Sequence, residues 1–299
     1  MGDYNSSVTR VWPVFDFLLA KDPSGCAWLR RLIGLAGQGA NAELGELGVL
    51  DAALARIERP IPAPVARAIG ADATRRLGAI RNAFEAQFPP PAPFLRWLIE
   101  HPSNLTWPKT KRSEVTFGAP SHVWRRSLIE GDRKVQEQAL RELAAAGVER
   151  SRRQWWAFEG FTSVDCYLET EQLVLLIEGK RTEPIAAATS WYPERNQVVR
   201  NLEVARAIAA GCKNYAVLLC AEEPALLPED CWERSLPHLA VEDRTVLKQH
   251  YLGCACWPEI AEALCDGLAL PETVSEAVEL CVRLRLVSPC ARPQRRVEQ

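Results

Sequence analysis

Asp165, Glu178 and Lys180 are the residues of this chain whose types and spacing are suited to chemistry. They stand in residues 163–180, where two strand-like runs are joined by a short polar turn and the second run ends in charged residues. Side chains on a strand alternate with period two, so Glu178 and Lys180 project from one face, a carboxylate beside an ammonium. Residues 173–177, which lead into Glu178, are all apolar, the pattern of a strand covered on both faces. Charges emerging from such a strand are costly to desolvate unless they bind a ligand or each other. A plain Glu178/Lys180 pair at a solvated strand end is the simpler alternative. Asp165 on the neighbouring run tips the reading toward a site.

An Asp on one strand of a hairpin, followed by acid-x-Lys on the next, resembles the PD-(D/E)XK nuclease superfamily, over about residues 131–221. The resemblance implies an α/β fold: a central mixed sheet flanked by helices, the restriction-endonuclease-like core, here with helical N- and C-terminal extensions. It implies that Asp165 and Glu178 hold a magnesium or manganese ion with help from the carbonyl of Gly179, and that Lys180 orients or activates the attacking water. Carboxylate oxygens are hard ligands suited to those ions. Val164 stands where the family name has proline, a position the family commonly relaxes. A second acid-x-Lys, Asp132-Arg133-Lys134, lies in a polar, helix-like segment with no apolar strand before it and reads as a decoy.

The elements that must position these residues follow from periodicity. Apolar positions at three- and four-residue intervals predict a helix over 132–146, ended by Gly147. The resemblance allows a metal-proximal glutamate on that helix, Glu142 or Glu137. Residues 155–161, rich in aromatics, read as a first strand. Glu159, the one acid in it, is a further candidate ligand or an edge residue facing solvent. A helix is predicted over 194–210, with Gln197 and Asn201 one turn apart on its flank. The resemblance puts a polar residue of this helix at the metal, which makes Gln197 the fourth active-site residue. A strand over 215–221 completes a strand-helix-strand order beside the hairpin.

Basic residues supply candidate nucleic-acid contacts: Lys109, Lys111 and Arg112 beside Trp107, then Arg181 after the motif and Arg200 on the second helix. A solvated interdomain linker is the alternative for the first three. The rest of the chain divides into a helical region over 1–105, the core over 106–228, a helical region over 229–288 and a tail over 289–299 expected to be disordered. Helices are expected at 11–20, 28–36, 40–58, 65–88 and 94–101, and later at 242–252, 257–264 and 274–286.

With 299 residues, 47% of them hydrophobic and a formal net charge of −2, the chain can bury one large core or two modest ones but has no global field for a polyanion. Any nucleic-acid contact must rest on a local basic surface. Ten cysteines without a metal-ligand spacing, and no opening signal segment, read as reduced thiols in a cytoplasmic protein. No apolar run is long enough for a bilayer. The expected function is a magnesium-dependent nuclease acting on DNA, as a single chain or a homodimer; the alternative is a non-catalytic nucleic-acid-binding or scaffolding protein on the same fold.

Overall fold

The computed structural model describes residues 6–22, 25, 27–37, 84–108, 119–146, 154–169, 173–211 and 213–287. The helix expected at 40–58, most of that at 65–88 and the tail over 289–299 lie outside them.

The described residues form an α/β fold around a four-stranded mixed sheet. Its strands are β3 (Cys166–Glu169), β4 (Leu173–Gly179), β5 (Asn214–Ala221) and β6 (Tyr251–Cys256), in the order β3-β4-β5-β6. β3 and β4 are an antiparallel hairpin, while β5 and β6 run parallel to β4. A two-stranded antiparallel ribbon, β1 (Ala86–Phe88) with β2 (Thr162–Val164), leads into β3 through Asp165.

All seven residues of β4 are buried, because the strand is covered on both faces. Leu173, Leu175 and Ile177 enter an apolar cluster made by helices from the two ends of the described chain: α1 (Trp12–Lys21), α2 (Leu29–Gly37), α9 (Trp257–Leu264) and α10 (Val274–Val287). Val174 and Leu176 enter a second cluster with α6 (Gln197–Ala209) and α7 (Cys231–Ser235). Burying these five aliphatic side chains contributes a gross stabilisation on the order of 10 kcal/mol, so β4 is a firm base for the residues at its end. A third cluster joins α3 (Ala92–Glu100) and α5 (Arg133–Ala146) through Trp156, Phe158, Trp191 and Tyr192. α4 (Ala119–Ile129) and α8 (Val241–Lys248) complete the helices, and a π-helical turn, Ser7–Val11, precedes α1.

Four elements differ from the periodicity. Residues 155–161 are not a strand; Arg125 donates to the carbonyls of Gln154 and Trp155, and Trp155, Trp156 and Phe158 pack into the third cluster. Residues 86–88, expected at the end of a helix, pair with β2. The helix expected to run through Leu252 stops at Lys248, and β6 follows, with Gly253 at φ +102° where an added Cβ would lie 2.9 Å from the Ala36 carbonyl. That close approach to α2 and the positive φ both call for glycine. The helix expected from Glu194 begins three residues later, because the Asn196 side chain accepts from the N–H groups of Val198 and Val199 and caps it. The sheet thus extends past residue 228, and helices from both ends of the chain complete one face of a shared core. No helix among the described residues is long and apolar enough to cross a membrane.

Candidate active site

Glu178 lies at the end of β4, 2% exposed, and spends its carboxylate on three donors. Gln197 Nε2 donates to Oε1 at 2.5 Å, Asn201 Nδ2 to Oε2 at 3.0 Å, and Lys180 Nζ lies 3.0 Å from Oε1. Lys180 also donates to Gln197 Oε1 at 3.0 Å, closing a triangle of acid, ammonium and amide. The Asn196 cap sets this geometry, since it makes Gln197 the first residue of α6 and places Asn201 one turn on, both facing the strand end.

Asp165 sits at the bend between β2 and β3. Val164 and Tyr167 both face the α6 cluster while Cys166 faces the other, so the strand alternation slips at Asp165. The slip brings Oδ2 to the N–H of Gly179, 2.9 Å away. Extending the β3/β4 register by one residue sets Asp165 opposite Glu178, and extending the β1/β2 register sets it opposite Glu85. Burial pushes the Asp165 carboxyl well above its ordinary value, Glu178 adds to the rise, and the Gly179 N–H and Lys180 oppose it. Burial also raises Glu178, against Lys180 and Asn201.

A buried carboxylate at Glu178 and a half-buried one at Asp165, which resist sharing negative charge, are the donor set a hard divalent cation would satisfy. Among the described residues no group of three or more His, Cys, Asp and Glu is arranged to hold a metal ion, so such an ion would rest on Asp165, Glu178, the Gly179 carbonyl and water. Magnesium commonly binds through one or two carboxylates and retained waters. The Gly179 carbonyl already accepts from Ser6 Oγ at 2.9 Å, and its second lone pair remains for an ion.

The site has walls that periodicity did not mark. The Ser6 hydroxyl, with a single proton, lies within hydrogen-bond reach of both the Gly179 carbonyl and Glu183, and Ser7 donates to Glu85. Trp257 Nε1 donates to the Lys180 carbonyl at 2.8 Å. A Cβ added at Gly179 would lie 2.5 Å from Val11 Cγ2 and 3.4 Å from Trp257, so only glycine lets these walls close. Asn201 had a signal, its one-turn spacing from Gln197. Ser6, Glu85 and Glu183 had none, being ordinary residues brought in by tertiary contact.

The structure brings Asp165, Glu178, Gly179, Lys180 and Gln197 together and engages Glu137, Glu142, Glu159 and Arg181 elsewhere. Glu159 is fully buried and paired with Arg195 at 2.8 and 3.2 Å, so it neither faces solvent nor has its charge free for an ion. Glu142 accepts from Gln138 at 2.8 Å and Trp155 Nε1 at 2.6 Å, and Glu137 is exposed beside Arg141. Asp132 of the decoy caps α5, accepting from the N–H of Lys134 at 2.9 Å. Arg181, expected to meet phosphate, is 6% exposed and paired with Glu272 and Glu222. Arg200 lies on α6 within the electrostatic reach of Glu178 and Glu159. Lys109, Lys111 and Arg112 fall outside the described residues.

Compared with family models, with curated proteins and with solved structures, the chain matches none.

Proposed function

We propose that this chain is a metal-dependent phosphodiesterase acting on nucleic acid, with DNA as the expected substrate, on a core similar to that of the PD-(D/E)XK nucleases. The observation that carries the reading is the meeting of Asp165, Glu178, Lys180 and Gln197 at the end of one buried strand. Further support comes from the order of elements. An Asp precedes the first strand of an antiparallel hairpin, Glu-Gly-Lys ends the second, and a Gln opens the helix that crosses to a parallel strand.

Asp165, Glu178 and the Gly179 carbonyl would hold magnesium or manganese. Bound there, the ion supplies Lewis-acid polarisation of a phosphoryl oxygen and a more acidic water. Lys180 keeps its ammonium beside the acids, where a donor can orient the attacking water and offset charge developing on the phosphate. Gln197 holds the Lys180 and Glu178 side chains in register by bonding both. The reading places the protein in the cytoplasm, where the seven free thiols among the described residues would stay reduced.

The test is purified protein incubated with plasmid, linear duplex, single-stranded DNA and RNA, in magnesium and in manganese. Cleavage that a chelator abolishes is expected on at least one DNA form. Inactivity on every substrate in both metals contradicts the reading.

One observation favours the non-catalytic alternative: both oxygens of Glu178 are already hydrogen-bonded, and Ser6 occupies the Gly179 carbonyl. Calorimetric titration with manganese separates the two. A nuclease site binds the ion and loses it in Glu178→Ala, whereas a binding-only fold shows no site that depends on the acids.

A further inference from the structure

Other buried arginines of the described fold are engaged. Arg10 pairs with Glu222, Arg125 donates to the carbonyls of Gln154 and Trp155, Arg181 pairs with Glu272, and Arg195 is shared by Glu159 and Glu203. Arg200 differs. Its side chain makes no hydrogen bond or ion pair with any described residue, and its Nε is buried without a partner. Leaving a buried donor unmet is costly, and such a group calls for an explanation.

Its place on α6 supplies one. Arg200 stands between the two residues that bond Glu178: three positions after Gln197 and next to Asn201. Residues three apart share a helix face, so Arg200 lies on the Gln197 side of α6, near Glu178, and it is partly accessible to solvent. The fields of Glu178 and Glu159 act on it without a direct contact, and Arg195 repels it. Lys180, the other cation of the site, already gives two of its three donors, to Glu178 and to Gln197. A guanidinium offers five donors in a planar fork that matches two phosphate oxygens at once.

We infer that Arg200 is the phosphate-binding residue of this site, taking two oxygens of a substrate phosphodiester while Lys180 stays committed to Glu178 and Gln197. The identity of that phosphate as part of a nucleic acid rests on the nuclease reading; the anion site itself does not. Arg200 thereby becomes the one basic contact proposed from sequence that the described structure leaves unpaired by acids.

The experiment compares wild type, Arg200→Met and Arg200→Lys in two arms. In the first, cleavage of a short DNA substrate is followed in magnesium at several salt concentrations. Arg200→Met is expected to raise KM about tenfold and to lower the salt slope of binding by about one, with partial recovery in Arg200→Lys. Its melting temperature is expected to equal or exceed that of wild type, because an unpaired buried charge is removed; a purely structural arginine would lose stability instead. In the second arm, binding of inorganic pyrophosphate is measured by calorimetry without any cleavage. If no protein cleaves in any metal, the nuclease reading fails, and pyrophosphate binding that depends on Arg200 still upholds the anion site. A folded Arg200→Met with wild-type KM, or with wild-type pyrophosphate binding, overturns the inference. If Arg200→Met does not fold, Arg200→Lys decides: KM or pyrophosphate affinity weakened threefold or more supports it, and unchanged values overturn it.

Discussion

Lys180 and Asp165 make opposite demands on the same small space. Lys180 neutralises Glu178 at 3.0 Å, so Lys180→Ala leaves that buried carboxylate with its two amide donors and without its cation. Metal affinity, measured by manganese titration, should therefore hold or rise, while cleavage should fall by about 10²–10³-fold if the ammonium acts on the reacting phosphate. Cleavage at the wild-type rate would remove that role from Lys180. Asp165 is raised by burial and by Glu178, and the sign is clear: a carboxyl whose folded pKa lies above its unfolded value lends stability that is lost as pH rises through the folded value. Its ionisation therefore works against folding as pH rises. Asp165→Asn should raise the melting temperature without metal by roughly 2–4 °C, about 1 kcal/mol, and abolish any further rise on adding magnesium. A lower melting temperature in this variant would mean that the charged form is held by contacts stronger than the repulsion.

At the scale of elements, the N-terminal turn and the end of β4 are built for each other. Val11 occupies the space a side chain at Gly179 would need, 2.5 Å from its Cβ, and Ser6 bonds the same residue's carbonyl. Gly179→Ala should cost about 1–3 kcal/mol in chemical denaturation, and adding Val11→Ala should recover part of it, since the two clash directly. Additive losses would show that the contact is not the cause. The start of α6 is tied down separately. Arg195 bonds Glu159, Glu203 and the Ser235 carbonyl, and Ser235 Oγ accepts from the Asn196 N–H at 2.9 Å. Burial pushes Glu203 up, but Arg195 and His238 more than reverse it, so its pKa lies below the ordinary value. A lowered carboxyl contributes stability that is present above its unfolded pKa, about 4.3, and lost as pH falls through the folded value. Glu203→Gln should cost roughly 3–5 kcal/mol at neutral pH and flatten the stability profile below about pH 4; an unchanged acid limb would contradict the assignment. These pairings explain why Glu159 was misread. Its partner stands 36 residues away, and a strand pattern carries no sign of it.

Across the whole molecule, what was legible depended on whether the cause was local. The apolar run before Glu178 marks β4 because a strand buried on both faces needs apolar residues at every position, and Gln197 follows from helix periodicity. The aromatics of 155–161 misled because large rings fill a helical cluster as readily as a sheet, and the backbone there is satisfied by Arg125. Ser6 reaches Gly179 across 173 residues, and Glu85 meets Asp165 through a ribbon whose first strand has only three residues. Such contacts come from packing helices of both chain ends onto one face of the sheet, and no short window contains them. The central claim, that this strand end is a metal-dependent hydrolytic site, is tested most directly by one paired rate. Wild type and Glu178→Ala, purified together and matched for folding, are assayed for DNA cleavage across a magnesium titration. The account predicts magnesium-dependent cleavage by wild type and a loss of at least about 100-fold in the variant; equal rates in the two proteins, or no cleavage by wild type, would contradict it.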